Sequence, residues 1–253
     1  MPAPINHFKT RLKAREVQIG LWLGLGDPSV AELAAGTGYD WLLIDGEHGP
    51  NGLRDVLGQL RAIGDKTAVV VRTRDDNRAL IKQMLDLGAQ TLLIPMIDSA
   101  AQAAEVVRAM KYPPEGVRGV GAALARVSGF GRVADYVQTA NDQICVLVQV
   151  ESRAGLAALD DILKLEGIDG VFIGPADLAA DMGFAGHADT PEVVTAIKDA
   201  ITRIRAAGKA AGFLATVPDV AQHYHQMGVE FLAVGSDVGV LRAGLTSLRG
   251  KFA

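Results

Sequence analysis

Acidic residues follow three apolar segments of the chain, and an arginine follows a fourth. The segments and the residues after them are Trp41–Ile44 with Asp45, Glu47 and His48, Ala68–Val71 with Arg72, Val146–Val150 with Glu151, and Val171–Ile173 with Asp177. Side chains just past buried strands converge on one rim of an α/β fold, where such folds perform chemistry. Because buried unpaired charge is costly, this mixture favours an active site over a folding core.

Glu151 and Asp177 are the candidate metal ligands. Each follows a separate strand, and hard divalent cations prefer carboxylate and water oxygens. Two protein ligands would leave positions for a carboxylate oxygen and a keto oxygen of a 2-oxo acid, whose carbonyl the cation would polarise. The alternative for a strand-end acid such as Glu151 is a helix cap or an ion-pair partner.

His48 and Arg72 are the candidate catalytic residues. An imidazole accepts and returns a proton near neutral pH, and a fixed guanidinium can stabilise the oxyanion of an enolate. Arg72 could instead form a structural ion pair with Asp75 or Asp76, which follow it in the sequence.

Asp45 and Glu47 flank Gly46 and precede the candidate histidine. We expect both acids to contact and orient the catalytic side chains rather than to bind the metal. The alternatives are that Asp-Gly forms an ordinary turn and that the glutamate faces solvent.

Motifs for covalent and cofactor chemistry are missing from the sequence. No lysine ends an apolar run, so an aldolase that forms a Schiff base is disfavoured. Neither a complete dinucleotide fingerprint nor a phosphate-binding loop occurs. We therefore expect a divalent metal ion and no organic cofactor.

Composition excludes several other classes of protein. The net charge of −4 comes from interleaved acids and bases, so nucleic acid is not an expected partner. Cys145 is the single cysteine, which gives neither a disulfide framework nor zinc-finger spacing and indicates a reducing cytoplasm. No uncharged apolar stretch of about 18 residues occurs, so neither membrane insertion nor secretion is expected.

Short apolar runs alternate with amphipathic segments, which is typical of a parallel sheet covered by helices. Eight strands predict an α/β protein with a (β/α)8 TIM barrel, in one domain spanning residues 1–253. A doubly wound open sheet is the alternative. The predicted strands are Gln18–Leu23, Trp41–Asp45, Ala68–Arg72, Thr91–Met96, Ile144–Val150, Gly170–Ile173, Ala210–Leu214 and Phe231–Gly235. The main predicted helices are Ser29–Thr37, Leu53–Ile63, Arg78–Leu87, Ala100–Met110 and Thr190–Ala207.

The spacing of elements breaks once, between the fourth and fifth strands. Tyr112–Gly121 opens an insertion that precedes a predicted helix at Val133–Ala140. Long loops in compact domains are commonly lids or subunit contacts. We therefore expect the insertion to serve one of these purposes.

The chain closely resembles the class II pyruvate aldolases of the HpcH/HpaI family, typified by 4-hydroxy-2-oxoheptanedioate aldolase, within the citrate lyase β-like group. The resemblance runs nearly end to end, and its last two motifs are highly specific. The motifs that carry it are Gly20–Gly24, Leu42–His48, Tyr112–Pro114 with Arg118–Gly121, and Val171–Leu178.

This resemblance implies a barrel whose C-terminal helix is swapped between neighbouring subunits of a homo-hexamer built from dimers. It implies that Glu151 and Asp177 bind the divalent ion, and that the backbone after the sixth strand receives the pyruvate carboxylate. The residues that it assigns to the substrate are Arg72, Gln149, Gly174, Pro175, Ala176 and Asp177.

The resemblance also implies that His48 accepts the proton and that Asp86 raises the basicity of this histidine. Leu214 ends the seventh strand near the expected aldehyde pocket. In the insertion, Ser128–Gly131 replaces a stretch expected to be bulkier and richer in arginine, and Gly49 stands where relatives often carry alanine.

The implied activity is the reversible, metal-dependent cleavage of 4-hydroxy-2-oxo acids to pyruvate and an aldehyde, through a pyruvate enolate. Mg²⁺, Mn²⁺ or Co²⁺ would serve, and either His48 or a metal-bound water would remove the first proton. One alternative is a lyase for CoA thioesters, with Arg118, Arg126 and Arg132 contributing to a nucleotide groove. The other is a non-catalytic barrel that binds a 2-oxo acid.

Overall fold

Eight parallel strands close into a barrel in the order in which they occur along the chain, and β1 pairs with β8. The computed structural model describes residues 1–252. The α/β barrel is therefore confirmed over the doubly wound sheet. The strands are β1 (Gln18–Leu23), β2 (Trp41–Asp45), β3 (Ala68–Arg72), β4 (Thr91–Ile94), β5 (Cys145–Val150), β6 (Gly170–Ile173), β7 (Ala210–Leu214) and β8 (Phe231–Ser236).

Helices surround the barrel, and one precedes it. Among residues 1–252, none is long and apolar enough to cross a membrane. They are α1 (His7–Lys13), α2 (Pro28–Ala35), α3 (Leu53–Ile63), α4 (Arg78–Leu87), α5 (Ala100–Met110), α6 (Tyr136–Gln143), α7 (Arg153–Leu163), α8 (Pro175–Asp181), α9 (Pro191–Ala206), α10 (Pro218–Gln226) and α11 (Asp237–Gly250).

Five of the eight strands have the predicted bounds, and the differences at the others have local causes. β4 ends at Ile94 because Pro95 has no N–H to donate to a neighbouring strand and Met96 takes a left-handed backbone (φ 56°). The predicted helix at Val133–Ala140 begins three residues later, at Tyr136, because the Val133 amide donates to the Ser128 carbonyl in a turn.

The barrel interior is filled by side chains that alternate along the strands. Trp41 of β2, Phe172 of β6 and Phe231 of β8 form an aromatic cluster, and Phe8 of α1 closes its lower end, 5.8 Å from the Trp41 ring. Because the alternation continues upward, Asp45 and Arg72 are the last inward-facing residues of β2 and β3. The apolar interior thus forms the floor beneath the charged rim.

The insertion lies at the end of the barrel opposite the charged rim. Its residues follow the C-terminal end of α5 and precede the beginning of β5, where the chain has already returned from the rim. Two short 3₁₀ turns, Ala122–Leu124 and Arg126–Ser128, shape it. The insertion therefore cannot act as a lid over the site of its own chain.

Two glycines inside the barrel make room for the aromatic cluster. A Cβ on Gly212 would lie 2.0 Å from Cε2 of Phe231, and a Cβ on Gly20 would lie 2.1 Å from Cε2 of Trp41. Glycine is therefore required at both positions for the aromatic rings to fit.

We expect Gly212→Ala to lower the free energy of unfolding by about 1–3 kcal/mol, because the added methyl group overpacks the interior. Urea denaturation at fixed pH measures this loss. Gly36→Ala is the matched control, since Gly36 has φ −84° and its Cβ would meet its nearest atom at 3.5 Å. Equal stability of the two variants would contradict the packing argument.

Candidate active site

The charged rim is organised by an ion pair between adjacent strands. Arg72 donates from Nε to Oδ1 of Asp45 at 2.9 Å and from Nη2 to Oδ2 at 2.6 Å, and both side chains are buried. The Nη1 atom of Arg72 lies 2.6 Å from Oε2 of Glu47. The alternative partners Asp75 and Asp76 are thus wrong for Arg72, although a structural ion pair does exist.

Asp45 gathers the loop that carries the candidate histidine. Its carboxylate also accepts from the indole N–H of Trp22 at 3.2 Å and from the amides of Glu47 and His48 at 3.0 and 3.3 Å. Burial acts to raise the Asp45 pKa, but the hydrogen bonds and charge of Arg72 outweigh it and hold the pKa below its ordinary value. Asp45 therefore both accepts from the turn that follows it and pairs with Arg72.

Glu151 lies just past β5 and is 2% exposed. Its Oε1 accepts from the backbone N–H of Met96 at 2.9 Å, and its Oε2 accepts from the side-chain amide of Gln149. The Oε1 atom of Gln149 is buried and has no hydrogen-bond partner in the described residues. The buried carboxylate is thus held by neutral donors, with one acceptor beside it free for a ligand.

Asp177 lies in the first turn of α8, and Gly174 is the N-cap of this helix. A Cβ on Gly174 would lie 2.3 Å from Oε2 of Glu151 and 3.2 Å from Nε2 of Gln149. The turn after β6 therefore packs directly on the Glu151 carboxylate. Pro175 and Ala176, which the family resemblance assigns to the substrate, lie on this same turn.

The carboxylates after β2 interact electrostatically with those after β5 and β6. Burial raises the Glu151 pKa, and the neighbouring charges of Asp177 and Glu47 raise it further. Burial likewise raises the Glu47 pKa, against the opposing charge of Arg72. These carboxylates therefore share one region of negative potential at the rim.

The chemistry of this donor set fits a divalent cation. Within residues 1–252, Asp177 and Glu151 form no ion pair, whereas Asp45 and Glu47 are paired with Arg72. No cluster of three or more His, Cys, Asp or Glu side chains at metal-binding spacing occurs in this described part. A cation held here by two carboxylates would keep open positions for a ligand.

His48 lies on the loop after β2 with its side chain 67% exposed, and its Nε2 lies 3.8 Å from Oε2 of Glu47. Asp86 lies elsewhere, near the end of α4 that leads into β4, where it accepts from Nη2 of Arg118 at 2.6 Å. Because α4 runs from the rim to the opposite end of the barrel, the structure does not bring Asp86 to His48 within one chain.

Leu214 ends β7 half-buried and packs against the interior cluster, on the same rim. Sequence reasoning missed the parts played by Trp22 and Met96. The Arg72 guanidinium lies 5.3 Å from the centre of the Trp22 ring, and Met96 supplies a backbone donor to Glu151. The alternation of β1 could have placed Trp22 inside the barrel, but no side-chain pattern marks the Met96 amide.

Comparisons with known proteins identify the family of this chain. The family model described as HpcH/HpaI aldolase/citrate lyase matches residues 18–243. A hydroxypyruvate/pyruvate aldolase from Pseudomonas aeruginosa is 57% identical over all of this chain and 94% of its own. A 4-hydroxy-2-oxo-heptane-1,7-dioate aldolase from Shigella sonnei is 54% identical over 98% of this chain and 95% of its own.

A solved structure of an HpcH/HpaI aldolase/citrate lyase family protein from Burkholderia cenocepacia superposes with a TM-score of 0.94 at 41% identity, covering 98% of this chain and 100% of that one. The barrel is therefore that of a carbon–carbon lyase, and the protein is an aldolase. The chain belongs to the HpcH/HpaI aldolase/citrate lyase family.

Removing the charge of Glu151 should stabilise the metal-free protein at neutral pH. Because the folded pKa is raised above the ordinary value of 4.5, the folded state binds this proton more tightly than the unfolded chain. The stability that this proton supplies is fully present below the ordinary pKa of 4.5 and is lost as pH rises through the folded pKa.

We therefore expect Glu151→Gln to unfold at a higher temperature than the parent at pH 7, with the difference shrinking toward pH 4. Gln149 can rotate its amide to accept from the new side chain. Thermal unfolding in a chelator across this pH range measures the effect. Exposed Glu166→Gln is the control, and a parent-like pH profile for Glu151→Gln would refute the interpretation.

Proposed function

We propose that the protein is a class II pyruvate aldolase that reversibly cleaves 4-hydroxy-2-oxo acids to pyruvate and an aldehyde. The observation that carries this proposal is a buried carboxylate, Glu151, that shares its negative potential with Asp177 and has no cation partner in residues 1–252. The relatives named as hydroxypyruvate/pyruvate and 4-hydroxy-2-oxo-heptane-1,7-dioate aldolases support this substrate class.

Glu151 and Asp177 would hold the divalent ion, which is Mg²⁺, Mn²⁺ or Co²⁺. When bound, the ion supplies Lewis-acid polarisation of the keto group of the substrate. The neutral donors on Glu151 leave its charge intact for this task, because neither the Met96 amide nor the Gln149 amide cancels it.

Arg72 and Gln149 orient the 2-oxo acid in the proposed site. Two of the five guanidinium N–H groups donate to Asp45, and Nη1 lies 2.6 Å from Oε2 of Glu47, which leaves N–H groups on both terminal nitrogens for an enolate oxygen. Gly174, Pro175 and Ala176 form the turn that would receive the carboxylate, and the absence of a side chain on Gly174 lets this turn pack against Glu151.

His48 moves the proton in the proposed reaction. Its imidazole is exposed at the rim, and its Nε2 lies 3.8 Å from Oε2 of Glu47. Leu214 borders the space for the aldehyde. Asp86, assigned to this histidine by the family resemblance, could act on it only from another subunit, because α4 carries it to the far end of the barrel.

A CoA-thioester lyase is less well supported. Of the three arginines that could form a nucleotide groove, Arg118 is buried and paired with Asp86, and Arg126 donates to the Leu87 carbonyl at 2.8 Å. Both lie at the end of the barrel opposite the rim. A nucleotide carrier bound at the rim would therefore not reach them.

We infer that the protein assembles as a homo-hexamer in which α11 is swapped between subunits. In a TIM barrel the last helix covers β8 and β1, but the residues of α11 after Asp237 are almost all exposed. Leu33 of α2 is 74% exposed beside the gap that this helix leaves. The exposed apolar face that another subunit would cover consists of Val238, Leu241, Leu245 and Leu248.

Proton exchange tests the proposed activity without any aldehyde. We expect the protein to replace methyl hydrogens of pyruvate by deuterium in heavy water with Mg²⁺ present, to stop after chelation, and to recover when Mg²⁺ returns. Mass spectrometry of pyruvate measures the exchange. A barrel that only binds the 2-oxo acid would give no metal-dependent exchange, and that result would refute the aldolase.

Within the same assay, we expect His48→Gln to slow exchange about 100-fold or more, because a positioned base contributes at least that factor. His223→Gln is the matched control, since His223 is an exposed histidine on α10. Undiminished exchange by His48→Gln would remove this residue from proton transfer and leave the metal assignment standing.

The assembly has its own test. We expect Leu241→Asp combined with Leu245→Asp to dissociate the hexamer, because two charges on the apolar face oppose burial. Light scattering after size exclusion gives the mass. Ala243→Asp places a charge on the opposite face of α11 and should leave the mass unchanged. A hexamer in both variants, or a monomeric parent, would rule out the proposed exchange of helices.

A further inference from the structure

Met96 has a backbone conformation that ordinary residues avoid. It lies between β4 and α5 at the catalytic rim, and its φ of 56° is in the left-handed region. A side chain with a Cβ is unfavourable there, and such residues cluster at functional sites. The side chain itself is 49% exposed, so packing of the thioether does not account for the conformation.

The left-handed turn aims the Met96 amide at the metal-ligand candidate. The N–H of Met96 donates to Oε1 of Glu151 at 2.9 Å, while Oε2 takes the amide of Gln149. The two donors approach different oxygens, so together they fix the rotation of the carboxylate about its last bond. Without the Met96 amide, only the Gln149 amide would restrain it.

The loop around Met96 is fastened on both sides. The Met96 carbonyl accepts from Nε2 of Gln102 at 3.2 Å, and the Ile97 amide donates to the Gln149 carbonyl at 3.0 Å. The Ser152 hydroxyl donates to the Asp98 carboxylate. These bonds tie the loop to the end of β5, the strand that precedes Glu151, and so maintain the strained conformation.

We propose that Met96 is a positioning residue, whose left-handed backbone orients the Glu151 carboxylate for the divalent cation, and that its side chain is dispensable for this role. The inference rests on the proposed function, because it presumes that Glu151 binds the metal. Its content is that cation affinity depends on which backbone conformations residue 96 can adopt.

Two substitutions separate the backbone from the side chain. Glycine adopts positive φ without strain, whereas a β-branched residue resists it. We expect Met96→Gly to bind Mn²⁺ within about threefold of the parent. Met96→Val should bind about tenfold more weakly, as expected for loss of one hydrogen bond to a charged group. Titration of Mn²⁺ into metal-free protein, followed by electron paramagnetic resonance, gives the affinities.

Phe130→Val is the matched control. Phe130 is also exposed and also has a left-handed backbone (φ 59°), but it lies in the insertion at the other end of the barrel. This control carries the same backbone penalty, so both valine variants should lose thermal stability. Only Met96→Val should lose affinity for Mn²⁺.

Parent-like Mn²⁺ binding by folded Met96→Val would overturn the inference, and so would a tenfold loss in Met96→Gly. The glycine variant keeps the inference falsifiable if the valine variant does not fold. A parent that binds no Mn²⁺ would refute the metal assignment itself together with this inference. A failure confined to the variants would leave the proposed aldolase intact.

Discussion

The ion pair between Asp45 and Arg72 is the interaction on which the rim depends. It joins β2 to β3, and its Asp45 carboxylate accepts hydrogen bonds from the indole of Trp22 and from the amides of Glu47 and His48. Breaking such a buried pair by removing one partner costs about 3–5 kcal/mol, because the other charge is left unpaired. Replacement of Arg72 should therefore lower stability as well as activity.

The buried carboxylates on the two sides of the rim have different partners. On one side, Asp45 and Glu47 are both paired with the guanidinium of Arg72, which the chain itself supplies. On the other side, Glu151 is held only by neutral amides, and burial raises its pKa. The second arrangement is costly for a protein without a ligand, and the proposed cation would relieve that cost. The two sides of the rim thus differ in whether the chain itself supplies the opposite charge.

Much of this organisation could be predicted from the sequence. The short apolar runs and the βαβ rhythm predicted five of the eight strands with their observed bounds, and acids after separate strands predicted one shared rim. The same logic could not pair Arg72 with Asp45, because adjacent residues in a sheet are distant in the sequence. It could not find the Met96 amide, since backbone donors carry no residue-type signal. It also could not show that the end of α4 carries Asp86 away from His48.

The indole of Trp22 allows the rim to be followed by fluorescence. The protein has only two tryptophans, and both belong to the interior cluster. Trp41 bonds to the Gln18 carbonyl at 3.0 Å in the lower part of the barrel, whereas Trp22 contacts both members of the central ion pair. Since indole emission responds to nearby charges, ligand entry at the rim would alter the fluorescence of Trp22. The barrel thus contains an intrinsic optical reporter of its charged rim.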